Sequence, residues 1–187
     1  MDVLPILYAA LGVPGFLSLV ASLAFRESLE RRHAWFFKLS STASQVLPLA
    51  SLILLCTYPN QPRIPLPREV RLASGALLLA SGFSLELKGT LDMGLERSMG
   101  GVCGSQLVKR GIYGVIRHPQ NLGAMIWPLG VAALADSGYF LLVSLLIWTP
   151  LILLESYMED VDLRRTFGRE FEEYAREVPM FIPRLRR

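Results

Sequence analysis

The sequence predicts an all-α integral membrane protein with about five transmembrane helices, the last two of which form a helical hairpin. A cytoplasmic helix is expected to follow the hairpin near the C-terminus. Of the 187 residues, 52% are hydrophobic and only 19% are charged, and the apolar residues are gathered into long runs separated by short basic segments. A soluble domain of this length has no need of such runs. We therefore expect a single membrane domain over residues 1–187.

Three of the predicted transmembrane helices lie within residues 1–87. Their apolar runs span residues 3–25, 42–58 and 70–87, and the first is about long enough to cross a hydrocarbon core of roughly 30 Å. A charged stretch rather than a small-residue cleavage site follows this run, which disfavours a signal peptide. Pro48 is expected to kink the second helix. Gly75 and Gly82 predict that the third helix packs closely on another helix.

Residues 88–187 are predicted to hold a long polar loop, the hairpin and a charged tail. The glycine-rich loop covers residues 88–120, and apolar runs at 122–135 and 139–158 form the two arms of the hairpin. Asp136, Ser137 and Gly138 join the arms, and these residue types favour a tight turn between antiparallel helices. The first arm would be about 21 Å long, and we expect Pro128 to kink it.

Basic residues are concentrated on one side of the predicted membrane. The segments at 26–38 and 88–120 and the C-terminal tail hold nearly all the Lys and Arg, whereas the loop at 59–69 holds only Arg63 and Arg68. By the positive-inside rule, the N-terminus faces outwards and the long loop and tail face the cytoplasm. Basic residues beside apolar runs are typical of topology signals, so we expect no nucleic-acid partner. Two scattered cysteines and two histidines predict no metal site.

Two polar segments carry an ordered set of motifs on this cytoplasmic side. The first contains Gln106-Leu107-Val108, Gly111-Ile112-Tyr113, Arg117-His118-Pro119 and Asn121; the second contains Glu159-Asp160, Phe167-Gly168, Tyr174 and Val178-Pro179. Together they resemble the isoprenylcysteine carboxyl methyltransferase family and its phospholipid methyltransferase relatives. The resemblance covers roughly residues 104–185.

The resemblance implies an S-adenosyl-L-methionine-dependent methyltransferase of the membrane. The donor would bind in a cytoplasm-facing pocket formed by the long loop and the hairpin, and a lipophilic small-molecule or lipidated acceptor would arrive from the bilayer. The carboxylate of Glu159 suits a donor that carries an ammonium and a sulfonium. The residues matched to cofactor binding are Gln106, Leu107, Val108, Tyr113, His118, Pro119, Asn121 and Glu159.

Two positions depart from the family pattern and bear on the acceptor. The family's substrate-side arginine, four positions before the first acid, is replaced by Glu155, and a tyrosine two residues after the Arg-His-Pro motif is replaced by Asn121. Glu155 and Glu159 share one helix face at i and i+4. Because a glutamate repels a carboxylate, we expect a neutral or cationic acceptor, such as a lipid amine or hydroxyl. Glu155, as general base, and Arg117 are the candidate catalytic residues.

Simpler interpretations stand beside these. His118 could cap the first helix of the hairpin, and Arg117 could anchor the helix at lipid headgroups. A sterol-reductase-like enzyme that uses NADPH is an alternative, because that group shares a similar hairpin. A non-catalytic membrane scaffold of the same fold is another. The sequence leaves the oligomeric state open.

Overall fold

The computed structural model describes residues 3–10, 46–47, 49–94 and 106–183, and all regular structure in that part of the chain is helical. Four helices organise it: α1 (Arg68–Met93), α2 (Pro119–Ala135), α3 (Gly138–Phe167) and α4 (Arg169–Glu177). A 3₁₀ turn at Gly111–Gly114 precedes α2, and further helical residues lie at 4–10 and 49–57. The predicted all-α class is confirmed for the described residues.

Helices α1 and α3 are the two in the described ranges that are long and apolar enough to cross a membrane. Only 11% and 17% of the residues in their apolar stretches are buried within the protein. Most of their apolar side chains therefore face outwards, unlike those of a core helix in a soluble protein. The prediction of five spans is not confirmed, because residues 11–25 of the first run and residues 42–45 and Pro48 of the second lie outside the described residues and α2 has only 17 residues.

Glycines bring α1 and α2 into close contact along their length. Gly75 and Gly82 on α1 face α2, where Gly123 and Gly130 are spaced by the same seven residues. A Cβ atom added to Gly82 would lie 2.5 Å from the backbone nitrogen of Trp127, and one added to Gly123 would lie 2.5 Å from the carbonyl oxygen of Gly82. The predicted close packing of this helix face is confirmed, since such short approaches are open only to residues without a side chain.

The predicted hairpin is confirmed, and its turn is held by the loop that precedes α1. Asp136 adopts φ 56°, the left-handed conformation that ends many helices. The hydroxyl of Ser137 accepts a hydrogen bond from the backbone N–H of Phe140 at 3.1 Å and so caps α3. The N–H of Gly138 donates to the carbonyl of Pro62 at 2.8 Å. The outer loop and the turn therefore form one packed unit.

Both arms of the hairpin extend beyond the predicted apolar runs. Helix α2 begins at Pro119 rather than at residue 122, because a proline suits the first helical position, where no N–H is needed. It continues through the buried Pro128. Helix α3 continues past residue 158 to Phe167, because charged side chains are good helix formers once they leave the lipid.

Helix α4 is amphipathic and folds the tail back onto the start of α2. Phe171, Tyr174 and Val178 are buried and pack against the partly buried Leu107 and Leu163. Beyond α4 the backbone pairs with the residues before α2: the N–H of residue 117 donates to the carbonyl of residue 179 at 2.9 Å, and that of residue 118 to residue 180 at 3.2 Å. The tail is thus fixed beside the N-terminus of α2.

Candidate functional site

His118 occupies the position before α2, and its side chain is turned towards α3 rather than towards the end of its own helix. His118 is the N-cap residue of α2, as one interpretation of the sequence expects, but its side chain makes no capping hydrogen bond. Instead, Nε2 lies 2.8 Å from Oδ1 of Asp160 and Nδ1 lies 3.2 Å from Oε2 of Glu159. The imidazole therefore bridges two carboxylates on α3.

This bridge determines the charge of the ring. Burial alone would lower the pKa of His118, but hydrogen bonds with Asp160 and Glu159 raise it to about 9. An acceptor faces each ring nitrogen, and only the imidazolium can donate from both. His118 is consequently a cation at neutral pH and has no free lone pair with which to act as a base.

Arg117 uses its guanidinium to join α2, α3 and α4. Its Nη2 donates to Oδ2 of Asp160 at 2.7 Å, and its Nη1 donates to the carbonyls of Val178 at 2.5 Å and Ala175 at 3.2 Å. The guanidinium carbon lies 6.0 Å from the ring centre of Phe171. Its side chain is only 12% exposed, which contradicts the interpretation of Arg117 as a headgroup anchor. Its catalytic role stays a prediction.

The two glutamates of α3 are less enclosed than Asp160. The side chain of Glu159 is 38% exposed and is held by His118 through one oxygen only. Glu155 lies one helical turn earlier on the same face and interacts electrostatically with Glu159 and His118. No hydrogen bond or ion pair joins Glu155 to another residue in the described part of the chain. The face of α3 near His118 therefore presents carboxylate oxygens that are free to bind a ligand.

Tyr113 lies in the 3₁₀ turn beneath this face and is buried. Its hydroxyl donates to Oε1 of Gln120 at 3.1 Å, and Nε2 of Gln120 donates to the hydroxyl of Thr90 on α1 at 2.8 Å. Tyr174 donates to the backbone carbonyl of Tyr113 at 2.7 Å. Burial and the negative charge of Glu159 raise the pKa of Tyr113, so its hydroxyl keeps its proton and acts as a hydrogen-bond donor.

Asn121 and Pro119 contact neighbouring helices. The side-chain amide of Asn121 donates to the hydroxyl of Ser156 at 2.9 Å, and that hydroxyl donates to the carbonyl of Ile152 at 2.8 Å. Pro119 is fully buried and faces Gly89 of α1. The site therefore includes a polar contact between α2 and α3 about one helical turn after His118.

The predicted cofactor-lining turn is less closely tied to this cluster. Leu107 packs under α4 with Phe171 and Tyr174, Val108 is half-buried and Gln106 is exposed. No hydrogen bond links these three side chains to His118 or its carboxylates within the described ranges. Their cofactor-binding role stays a prediction.

Sequence reasoning missed two carboxylates that organise the site. The motifs identify Asp160 only as the second member of an acidic pair, but its carboxylate contacts both Arg117 and His118. Asp92, at the end of α1, accepts a hydrogen bond from the backbone N–H of Ile112 at 2.7 Å and so holds the 3₁₀ turn. The adjacent acids Glu159 and Asp160 form a sequence signal by which Asp160 could have been found, whereas no sequence pattern marks Asp92. Within the described residues, no three or more His, Cys, Asp or Glu side chains are arranged so that they could hold a metal ion.

Comparison with known proteins places this site within a family. The family model described as "Phospholipid methyltransferase" matches residues 70–170, which include nearly all of α1 and the whole of α2 and α3. The chain is 28% identical over 179 residues to methanethiol S-methyltransferase 2 of Bradyrhizobium diazoefficiens, covering 88% of this chain and 68% of that protein.

Two further relatives match a shorter region. The protein-S-isoprenylcysteine O-methyltransferase of Schizosaccharomyces pombe is 39% identical over 78 residues, which cover 41% of this chain and 33% of that protein. Protein-S-isoprenylcysteine O-methyltransferase B of Arabidopsis thaliana is 32% identical over 79 residues, covering 42% of this chain and 40% of that protein. The chain thus matches less than half the length of these two relatives.

The family model covers more than half of the chain and all of the helical hairpin that carries the site. The chain belongs to the phospholipid methyltransferase family. It is accordingly classed as a methyltransferase, as the resemblance in its motifs implied. The comparisons give no support to the NADPH-dependent reductase or to the non-catalytic scaffold.

Proposed function

We propose that this protein transfers a methyl group from S-adenosyl-L-methionine to an acceptor that reaches the site from the bilayer. The observation that carries the proposal is the charge of the site. The cations Arg117 and His118 are balanced by Asp160 and Glu159, and the carboxyl group of Glu155 has no cationic partner within the described residues. The donor has a net charge of +1 from its ammonium, sulfonium and carboxylate, so it complements the site.

The donor set of the site fits this cofactor. Glu159 is held by His118 at one oxygen, which leaves the other oxygen for the donor's ammonium or sulfonium. The exposure of Glu159 gives a water-soluble molecule access from the charged side of the membrane. The basic loop and tail support an orientation with this side in the cytoplasm and the N-terminus outside.

The acceptor is proposed to be a nucleophile that must lose a proton, such as an amine, a hydroxyl or a thiol. Glu155 has no hydrogen-bond or ion-pair partner within the described residues, so it offers no counter-charge to an acceptor carboxylate and, as a carboxylate, would accept a proton from an uncharged or cationic group. When bound, the donor supplies a methyl carbon already activated by a sulfonium. In-line attack by the acceptor would break the carbon–sulfur bond and form the bond to the acceptor, and Glu155 would accept the acceptor's proton.

The remaining residues contribute alignment. Arg117 fixes the tail against α2 and α3, and the Asn121–Ser156 contact fixes the separation of α2 from α3 beside Glu155. Because the reacting carbon needs no further activation, we expect most of the rate enhancement to come from alignment and the exclusion of water.

A small thiol is the second candidate acceptor. The relative named as a methanethiol S-methyltransferase aligns with 88% of the chain, whereas the prenylcysteine relatives align with about two fifths of it. A thiol also fits a site in which a carboxylate takes the proton, because the thiolate is the reactive form.

An acceptor panel tests the proposal. The purified protein in lipid nanodiscs is supplied with methyl-labelled donor and, separately, with phosphatidylethanolamine, methanethiol or a farnesylcysteine carboxylate. We expect label transfer to an amine or thiol and a rate loss of at least tenfold in Glu155→Gln. Glu172→Gln, which changes an exposed acid on α4, should retain the parent rate. Efficient methylation of the farnesylcysteine carboxylate would refute the acceptor class, and calorimetric binding of NADPH in place of the donor would refute the cofactor.

A further inference from the structure

We propose that Asp160 is a positioning residue that keeps His118 as a doubly donating imidazolium and thereby holds Glu159 in place for the methyl donor. This inference rests on the proposed function only for the identity of the ligand at Glu159. The arrangement itself is a relay of three side chains, in the order Asp160, His118 and Glu159.

The carboxylate of Asp160 is the most completely paired charge of the site. Oδ1 lies 2.8 Å from Nε2 of His118 and 3.4 Å from Nε of Arg117, and Oδ2 lies 2.7 Å from Nη2 of Arg117. The residue is only 8% exposed. No ligand could reach this carboxylate without breaking these contacts, so its contribution must act through its partners.

The effect on His118 follows from the two faces of the ring. With Nε2 directed at Asp160, only Nδ1 remains to meet Glu159, and both nitrogens must carry a proton to donate. Without Asp160, burial would favour the neutral ring, which has a single N–H. The ring centre of Phe181 lies 6.0 Å from that of His118, and Phe181 therefore restricts rotation of the imidazole.

The effect on Glu159 is to leave one of its oxygens in a fixed position. Oε2 lies 3.2 Å from Nδ1 of His118, and no other hydrogen bond or ion pair holds Glu159 within the described residues. If the ring turned neutral or rotated, the carboxylate would regain its rotamer freedom. A bound cation would then have to order it, which weakens binding.

The charge of His118 depends on the groups that surround it. The charged or titratable groups near it in the described part of the chain are Arg117, Glu155, Glu159 and Asp160, with Tyr113 and Tyr174 close to the carboxylates. The tail contributes a backbone carbonyl and the ring of Phe181. The hydrogen bonds and negative charges of Glu159 and Asp160 favour the imidazolium.

Nitrogen-15 NMR of labelled histidine tests the relay without reference to the donor. The chain has two histidines, His33 and His118, so a His33→Gln background leaves one imidazole to observe. At pH 7.5 both ring nitrogens should be protonated, and the ring should titrate near pH 9. In Asp160→Asn the ring should be neutral at the same pH. The matched control Asp162→Asn, two residues further along α3, should keep the imidazolium.

Donor affinity provides the functional measurement. We expect the Kd for S-adenosyl-L-methionine to rise by about 10- to 100-fold in Asp160→Asn, the range for a lost hydrogen bond to a charged group, and to be unchanged in Asp162→Asn. A neutral ring in the parent at pH 7.5, or a neutral ring in Asp160→Asn with donor affinity within twofold of the parent, would overturn the proposal.

Glu159→Gln serves as the second variant if Asp160→Asn does not fold. It removes the more exposed partner, so His118 should stay protonated at pH 7.5 through Asp160 while donor affinity falls by at least tenfold. A neutral ring in this variant would contradict the role of Asp160. If the parent binds no donor yet shows the protonated ring, the proposed function fails and the relay stands.

Discussion

Replacing Gly82 by alanine should destabilise the protein, although helix propensity predicts the opposite sign. A Cβ atom at this position would lie 2.5 Å from the backbone nitrogen of Trp127 and 2.9 Å from its Cα. Ordinary contact begins at 3.4 Å, so α1 and α2 would have to separate locally by about 0.9 Å. The obstructing atoms belong to the backbone of α2 and cannot rotate away.

The magnitude follows from two opposed terms. Overpacking costs about 1–3 kcal/mol, and the upper half of this range applies when the clash is with backbone. Alanine is favoured over glycine in a helix by about 1 kcal/mol. We therefore expect Gly82→Ala to lower the free energy of unfolding by about 1–2 kcal/mol. Because α2 carries His118 at its start, a displacement of this size could reduce methyl transfer by up to about 100-fold.

Thermal unfolding in detergent and initial rates with labelled donor measure these effects. Ala76→Gly is the matched control, since Ala76 lies on the exposed face of the same helix. It should lose about 1 kcal/mol through propensity alone and retain the parent rate. If Gly82→Ala were as stable as the parent or more stable, the close packing of α1 on α2 would be refuted.

Three further predictions concern other contacts. The pKa of His118 is raised from 6.5 to about 9, so its protonation contributes about 3 kcal/mol to the free energy of unfolding. This contribution is fully present below pH 6.5 and is lost as the pH rises through 9. Thermal unfolding from pH 6 to 10 should show the loss in the parent and not in His118→Gln. Arg71→Met should lower the free energy of unfolding by about 1.5–3 kcal/mol, because Arg71 is paired with Asp136 and donates to two carbonyls at the end of α2. The control Arg68→Met, at an exposed position, should lower it by under about 0.5 kcal/mol. Equal unfolding temperatures for the two variants would contradict the contact. Tyr113→Phe should cost about 0.5–1.5 kcal/mol for one lost hydrogen bond, and denaturant unfolding would show no change if the hydroxyl were free.

Local patterns predicted the hairpin and the close helix pair. Asp136 and Ser137 shape the turn through their own backbone and side-chain hydrogen bonds, so neighbouring residues suffice to foresee it. Gly75 and Gly82 could be recognised because a close approach between membrane helices requires small residues at regular spacing. In both cases the residues that determine the structure lie close to one another in the sequence.

The organisation of the site depends on contacts between distant residues and could be predicted only in part. His118 and Asp160 are 42 positions apart, and which of two adjacent acids faces the ring depends on the rotation of α3 about its axis. The motif pattern selected Glu159 and overlooked Asp160. The sequence predicts Arg117 either at headgroups or at the reacting atoms; its actual partners could not be foreseen, because these carbonyls in the tail are 58 and 61 positions away.

The contacts of Arg71 and Arg117 explain how a short helix can hold a site in register. Arg71 donates to the carbonyl of Ala133 at the end of α2 and pairs with Asp136. Arg117, just before α2 begins, donates to the last carbonyls of α4 and pairs with Asp160. Each arginine satisfies the open end of a helix, where a cation is favoured by the dipole and by unpaired carbonyls. Helix α2 is thus attached at both ends and packed against α1 along its glycines, so it cannot slide without breaking a charged contact. Rigid support of this kind is what in-line methyl transfer requires, because its rate depends on alignment to within a fraction of an ångström.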